Sequence, residues 1–350
     1  MKLLIVTQKV DRDDQNLGAF YYWFQEFARA CDRVVILSVA LPAGQVPGRT
    51  RVYSFGAPTR PGRIWKFWEL FSREYAECDA VLFHQIPEFV LAASPFLLSL
   101  KKPSGLWYAH KSVSWRLNIA EKFVRYVFTS SQEGLRMPSK KAIWTGQAIN
   151  TDLFAPATRD KRQETGDTRH LTSDSLRLIT VGRIAPIKNY EIMIDALAML
   201  TSAFSKPWIF DIVGGPLAAP DAEYLCLLKK KIDDAGLAPR IRFLGPRPYS
   251  EIPGLLQAHD IFINMSQTGS LDKAVLEAMS CGLCVMTANE AYRAVLPAKY
   301  FLPIVNAEAL AERIATLADE NRPVSVLRDI VLQDHSLGRT IEKILFALKQ

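Results

Sequence analysis

The chain has 350 residues, is 49% hydrophobic and 23% charged, and carries a net charge of +7, which suits two globular domains and excludes disordered, collagen-like and coiled-coil chains. Its longest apolar stretch, residues 89–100, is interrupted by Ser94 and Pro95 and falls short of the ~20 residues a bilayer requires. Five cysteines are few and odd in number, so a disulfide framework is not expected and a reducing cytoplasm is. The N-terminal residues 1–7 turn polar too quickly for a secretory signal and read as a first buried strand. Strands are predicted at 3–7, 34–38, 81–84, 106–109, 126–128 and 142–144, with amphipathic helical stretches at 19–30 and 64–75. Strands alternating with helices imply βαβ units and a parallel sheet. Residues 156–175 are polar and irregular and read as a linker. The alternation restarts with strands at 176–181, 208–213, 241–244, 261–264 and 284–287. The expected organisation is a first domain over 1–155, the linker over 156–175, and a second domain over 176–330. A closing helix over 331–350 is expected to pack back on the first domain. Two doubly wound α/β domains facing across a cleft would bind ligands beyond their C-terminal strand ends.

Charge is unevenly placed. Residues 1–150 hold 20 Lys/Arg against 12 Asp/Glu, net +8, and residues 151–350 hold 23 against 24, net −1. The first half therefore calls for an anionic partner, a membrane surface or a phosphorylated substrate; no nucleic-acid motif accompanies the charge.

In the second half, Arg183 and Lys188 share one strand-to-helix loop, opened by Gly182 and ending at Asn189 as the expected N-cap. Two cations five residues apart can clamp a diphosphate, or be two solvated loop residues. The stretch Ser266-Gln267-Thr268-Gly269-Ser270-Leu271-Asp272-Lys273 follows an apolar strand and precedes a helix expected near Asp272. Such a loop offers backbone N–H groups to an anion, and Lys273 adds charge. Glu277, about a turn later, can accept hydrogen bonds from a ribose diol or simply support the helix. Cys281 and Cys284 have CxxC spacing without a second pair, which leaves structural cysteines or a redox or metal role.

These two stretches, with Val213-Gly214-Gly215-Pro216, Gly245-Pro246-Arg247-Pro248, Ser250-Glu251-Ile252-Pro253, Ala258-His259-Asp260, Glu277-Ala278-Met279-Ser280-Cys281-Gly282 and, earlier, the segment from Gly146 to Phe154, resemble glycosyltransferase family 4. The resemblance implies the GT-B fold and a retaining, metal-independent glycosyltransferase, hexosyltransferase-like, with no cofactor beyond a UDP- or GDP-linked sugar donor. Arg183 and Lys188 would hold the donor diphosphate, Glu277 the ribose, and Gly214 and the backbone of Gly269, Ser270, Leu271, Asp272 and Lys273 the phosphates or sugar. The segment Gly245–Pro248 would lie near the base. The family usually has two glutamates framing seven residues. Here the first position is Gly269, so sugar specificity departs from the pattern. The implied acceptor is a glycan or lipid-linked glycan of bacterial envelope polysaccharide synthesis. Another GT-B enzyme, such as a nucleotide-sugar epimerase, and a catalytically inactive membrane-associated binding protein are the alternatives.

In the first half only Gly18 remains of the family's glycine-rich loop. Asp11, Asp13 and Asp14 beside it lack the rest of a calcium loop. His110 follows the apolar run 106–109, where the resemblance places a histidine near the donor sugar; with Arg183 and Lys188 it completes the expected catalytic set. At 100° per residue, Ile64, Trp65, Phe67, Trp68, Phe71 and Tyr75 share a face about 160° wide, with Arg63, Lys66 and Arg73 outside it. That pattern fits a helix lying in a membrane interface, or a core helix with a solvated back. The expected location is the cytoplasm, with peripheral attachment to the inner membrane face.

Overall fold

The computed structural model describes residues 1–42, 44–157, 175–267, 269–320 and 322–350. Nearly all of the expected linker at 156–175 lies outside them. The chain divides into two units: residues 1–150, 248–250 and 334–350 form the first, and residues 151–247 and 251–333 the second.

The first unit runs β1 (Lys2–Thr7), α1 (Gly18–Ala30), β2 (Arg33–Ser38), β3 (Thr50–Ser54), α2 (Arg60–Glu77), β4 (Ala80–His84), α3 (Pro87–Leu100), β5 (Ser104–Trp107), α4 (Trp115–Phe123), β6 (Tyr126–Thr129) and β7 (Ala142–Trp144). Its seven strands are parallel, in the order β3-β2-β1-β4-β5-β6-β7. Leu3, Leu4, Ile5 and Val6 are wholly buried, as an unbroken apolar run must be when helices cover both faces of a sheet. On one face Leu4, Val6, Val81, Phe83, Leu106 and Val127 pack under Phe67, Phe71 and Tyr75 of α2, Val90 and Leu97 of α3, and Leu117 of α4.

The second unit runs β8 (Leu176–Val181), α5 (Tyr190–Ala203), β9 (Trp208–Val213), α6 (Ala219–Asp234), β10 (Ile241–Gly245), α7 (Ile252–Gln257), β11 (Ile261–Asn264), α8 (Lys273–Ser280), β12 (Cys284–Thr287), α9 (Ala307–Leu317) and α10 (Ser325–Ile330). Its five parallel strands stand in the order β10-β9-β8-β11-β12. A final helix, α11 (Leu337–Leu348), belongs to the first unit and packs against α1.

The first boundary falls at Asn150 rather than 155. The Thr151 and Phe154 carbonyls accept from the Arg328 guanidinium, and Ser280 Oγ also donates to the Phe154 carbonyl, so this stretch is tied into the second unit. Strand β3 was not expected from sequence; at the sheet edge it pairs only with β2, and its residues Thr50-Arg51-Val52-Tyr53-Ser54 stay largely polar and partly exposed.

The aromatic helix is divided. Its last three turns bury Phe67, Leu70, Phe71 and Tyr75 in the core. Ile64, Trp65 and Trp68 stay exposed, Trp65 at 72%. Of the two readings the wheel left open, the core one holds for Phe67, Phe71 and Tyr75, which with Leu70 form the buried side, while Trp65 lies about 120° round the helix from Phe71 and faces outward. No helix among the described residues is long and apolar enough to cross a membrane.

Candidate active site

In the second unit β9 and β11 flank β8 on opposite sides. Connections leaving β8 and β11 therefore diverge, and the loops after these two strands border the crevice where open α/β sheets take ligands. These are the loops that carry Arg183, Lys188 and residues 265–272.

The floor is backbone. Gly214 has φ +136°, and a Cβ there would stand 1.9 Å from the Gly182 carbonyl oxygen. Only glycine lets the ends of β8 and β9 approach so closely. The Gly182 amide donates to Val213 O, and the Gly214 amide to Gly245 O. From this floor the β8–α5 loop rises through one 3₁₀ turn, Pro186–Lys188. Asn189 stands at the N-cap position of α5 but does not cap it, which corrects the sequence expectation. It adopts left-handed φ 54° and its Nδ2 donates across to Met265 O at 2.8 Å, joining the two loops. Tyr190 OH reaches the carbonyls of Gly182 and Arg183 from below.

Arg183 is half-exposed, its Nε 3.9 Å from Asp221 Oδ2. Lys188 is more enclosed, and its Nζ lies 2.5 Å from Asp272 Oδ2. The same carboxylate oxygen accepts from Asn264 Nδ2 at 2.9 Å, and Thr287 Oγ1 donates to Asn264 Oδ1 at 3.0 Å. Burial pushes the Asp272 carboxyl up, but the Lys188 ammonium and its hydrogen bond outweigh that and hold it below the usual range. Asn289 Nδ2 holds Ser270 O, and Tyr292 OH donates to Asp272 O. Gly269 and Leu271 are buried in the same loop, and Thr268 lies outside the described residues. Lys273 opens α8, as expected from sequence; burial pushes its ammonium down to about 8, against the pull of Glu277 one turn on. Glu277 itself is 3% exposed.

Sequence reasoning missed Asn264, Thr287, Asn289, Tyr292 and Asp221. Asn264 and Thr287 had a signal: each is the polar last residue of an otherwise apolar strand, β11 and β12.

Gly18 and His110 lie in the first unit. Gly18 opens α1 at a close approach, where a Cβ would stand 2.6 Å from Tyr249 Cβ and 2.7 Å from Arg12 O. Strand β5 stops at Trp107, so His110 sits three residues beyond it, exposed on a loop, rather than at the strand end. Its Nδ1 accepts from the Ser112 amide at 3.1 Å, which in the neutral ring leaves the proton on Nε2 as an outward donor. The buried histidine at a strand end is His84, whose Nδ1 lies 3.1 Å from Thr7 Oγ1 and whose ring packs on Phe20 and Trp107. Asp11 and Asp14 both pair with Lys9. Cys281 and Cys284 are buried thiols, that of Cys284 pushed up to about 12 by burial, so both sit at a helix-to-strand turn as unreactive packing groups. Among the described residues no group of three or more His, Cys, Asp or Glu is placed to hold a metal ion.

Residues 162–328, just under half of the chain, match the family model described as Glycosyl transferases group 1. Relatives are D-inositol 3-phosphate glycosyltransferases. That of Thermobispora bispora is 27% identical over 184 residues, 49% of this chain and 41% of its own length. That of Mycobacterium bovis is 32% identical over 145 residues, 40% of this chain and 27% of its own. The matches thus span less than half the length of these relatives. Among solved structures, Anabaena Alr3699/HepE in complex with UDP has a TM-score of 0.81 at 18% identity, covering 100% of both chains. Sucrose-phosphate synthase from Thermosynechococcus elongatus has a TM-score of 0.76 at 15% identity, covering 100% of this chain and 98% of that one. The fold is that of GT-B glycosyltransferases, and its second unit carries the group 1 sequence pattern.

Proposed function

We propose that the chain is a retaining, metal-independent glycosyltransferase of family 4. It moves a sugar from a UDP- or GDP-linked donor to a glycan or lipid-linked acceptor of bacterial envelope polysaccharide synthesis. The observation that carries this reading is the pair of loops after β8 and β11, which put a guanidinium, an ammonium and the α8 N-terminus at one sheet edge. A departing nucleoside diphosphate develops negative charge in the transition state, and fixed donors at that point lower the barrier. Arg183 offers a planar fork to the phosphates and Lys188 a point charge. Glu277 accepts from the ribose hydroxyls, and His110 keeps the role near the donor sugar that the family resemblance implies. The relatives are glycosyltransferases by name, which supports the reaction class, and the UDP bound to Alr3699/HepE supports a nucleotide-linked donor.

The exposed first turns of α2 support peripheral attachment. Ile64, Trp65 and Trp68 stand beside exposed Arg60, Arg63 and Lys66 on the half of the chain that carries +8. Aromatic rings with adjacent cations suit an anionic headgroup layer, and a cytoplasmic enzyme acting on lipid-linked glycans would work there.

A thermal-shift panel with UDP, GDP and ADP tests the donor site. A ligand at about 100 times its Kd stabilises by about 2.7 kcal/mol. Arg183→Ala and Glu277→Gln should each abolish the shift while the protein stays folded; an unchanged shift in both refutes the site. Gly269 in place of the usual acid favours one second reading, an inactive binding protein. Slow release of nucleoside diphosphate from a sugar donor excludes it.

A further inference from the structure

Lys188 already holds an anion. Its partner, Asp272, is not a chance surface acid: both side chains are about four-fifths buried, at 20% and 19% exposure. The carboxylate is also oriented from behind, by Asn264 Nδ2 and through it by Thr287 Oγ1. Asp272 is therefore preorganised on the ammonium that the donor reading assigns to the diphosphate.

We infer that Asp272 is an internal counter-anion that competes with phosphate for Lys188 and thereby favours the sugar donor over the released nucleoside diphosphate. The inference rests on the donor reading of these two loops and deepens it. A sugar nucleotide carries a diphosphate diester of charge about −2. The product has a terminal phosphate whose second proton leaves near pH 6, so at neutral pH it carries nearly −3. A fixed carboxylate beside the site repels the more highly charged species more strongly. The carboxylate takes Lys188 back as the product leaves, so the site returns to its empty state without an unpaired buried ammonium.

The test is calorimetric titration of inorganic pyrophosphate, UDP, GDP, UDP-glucose and GDP-mannose into the full chain and its variants. Asp272→Asn should tighten pyrophosphate and the bound nucleoside diphosphate about tenfold, and the corresponding sugar nucleotide clearly less. Asp272→Glu, which keeps the charge, should tighten pyrophosphate clearly less than Asp272→Asn does. In a Lys188→Gln background the Asp272→Asn effect should shrink to less than half, since the two groups act on each other. If Asp272→Asn does not fold, Asp272→Ser carries the same expectation. Equal or weaker pyrophosphate binding on neutralising Asp272 overturns the inference, as does equal tightening of diphosphate and sugar nucleotide. Tighter pyrophosphate with no nucleotide binding to any variant leaves the counter-anion standing and removes the nucleotide reading instead.

Discussion

Gly214→Ala separates backbone geometry from general fragility. At φ +136° the residue sits where L side chains are essentially absent, and holding one there costs about 1–3 kcal/mol. The added Cβ would also lie 1.9 Å from Gly182 O and 2.8 Å from Gly182 C, both backbone atoms. The end of β8 must then move, for a further ~1–3 kcal/mol of overpacking. The total, about 2–6 kcal/mol, is a large part of ordinary domain stability. Gly245→Ala is the control: φ is +71°, but nothing lies within 4 Å of its Cβ position, so only the left-handed conformation is penalised, by about 1 kcal/mol. Urea unfolding should show a clearly lower midpoint for Gly214→Ala than for Gly245→Ala. Because Gly182 begins the loop holding Arg183 and Lys188, nucleoside diphosphate binding should vanish in the first variant and persist in the second. Equal losses of stability in both, with binding kept in both, would refute the idea that this close approach shapes the loop.

Burial pushes the Asp211 carboxyl up, but His259 and Arg242 outweigh it and hold it below its ordinary 3.8. The stability this lends is present above the unfolded value and is lost as pH falls below about 4. Arg242→Ala should therefore cost about 2 kcal/mol near neutrality and flatten the acid limb of a stability-versus-pH curve measured in urea. In α2, Phe71→Ala should cost about 3–5 kcal/mol, since its ring is wholly buried between Phe67 and Tyr75. Trp65→Ala should stay within about 0.5 kcal/mol yet reduce co-sedimentation with phosphatidylglycerol vesicles relative to phosphatidylcholine. His110→Ala should slow turnover about 100-fold with the nucleotide thermal shift unchanged; loss of that shift would place His110 in binding.

The sheets were legible because fully buried parallel strands are unbroken apolar runs, as in residues 3–6 and 261–263. Their neighbours in space were not. Edge strand β3 needs an apolar face against only one partner, and Thr50-Arg51-Val52-Tyr53-Ser54 looks like loop. The wheel of α2 gave the right periodicity and left its partner open between core and membrane interface. A face about 160° wide is broader than the side the core takes: Phe71 is packed, and Trp65, about 120° round the helix from it, is bare.

At the site, spacing located the cations but could not say what they touch. Arg183 and Lys188 lie five residues apart on one loop, which sequence reads directly. Asp272 is 84 residues from Lys188, and only the adjacency of β8 and β11 brings them together. An acid after a Gly-Ser loop reads as a helix cap, and Asn189 before a helix reads likewise; Asn189 instead tethers the opposite loop, and Asp272 reaches that loop's Lys188 as well as Asn264 on the strand before it. A capping residue and a cross-loop tether have the same composition and the same position in sequence. They differ only in which acceptor or donor the fold brings within about 3 Å. The residues that set the charge of this site were therefore visible one by one, while their pairing, which decides whether Lys188 meets a phosphate as a bare cation or a neutralised one, is a property of strand order.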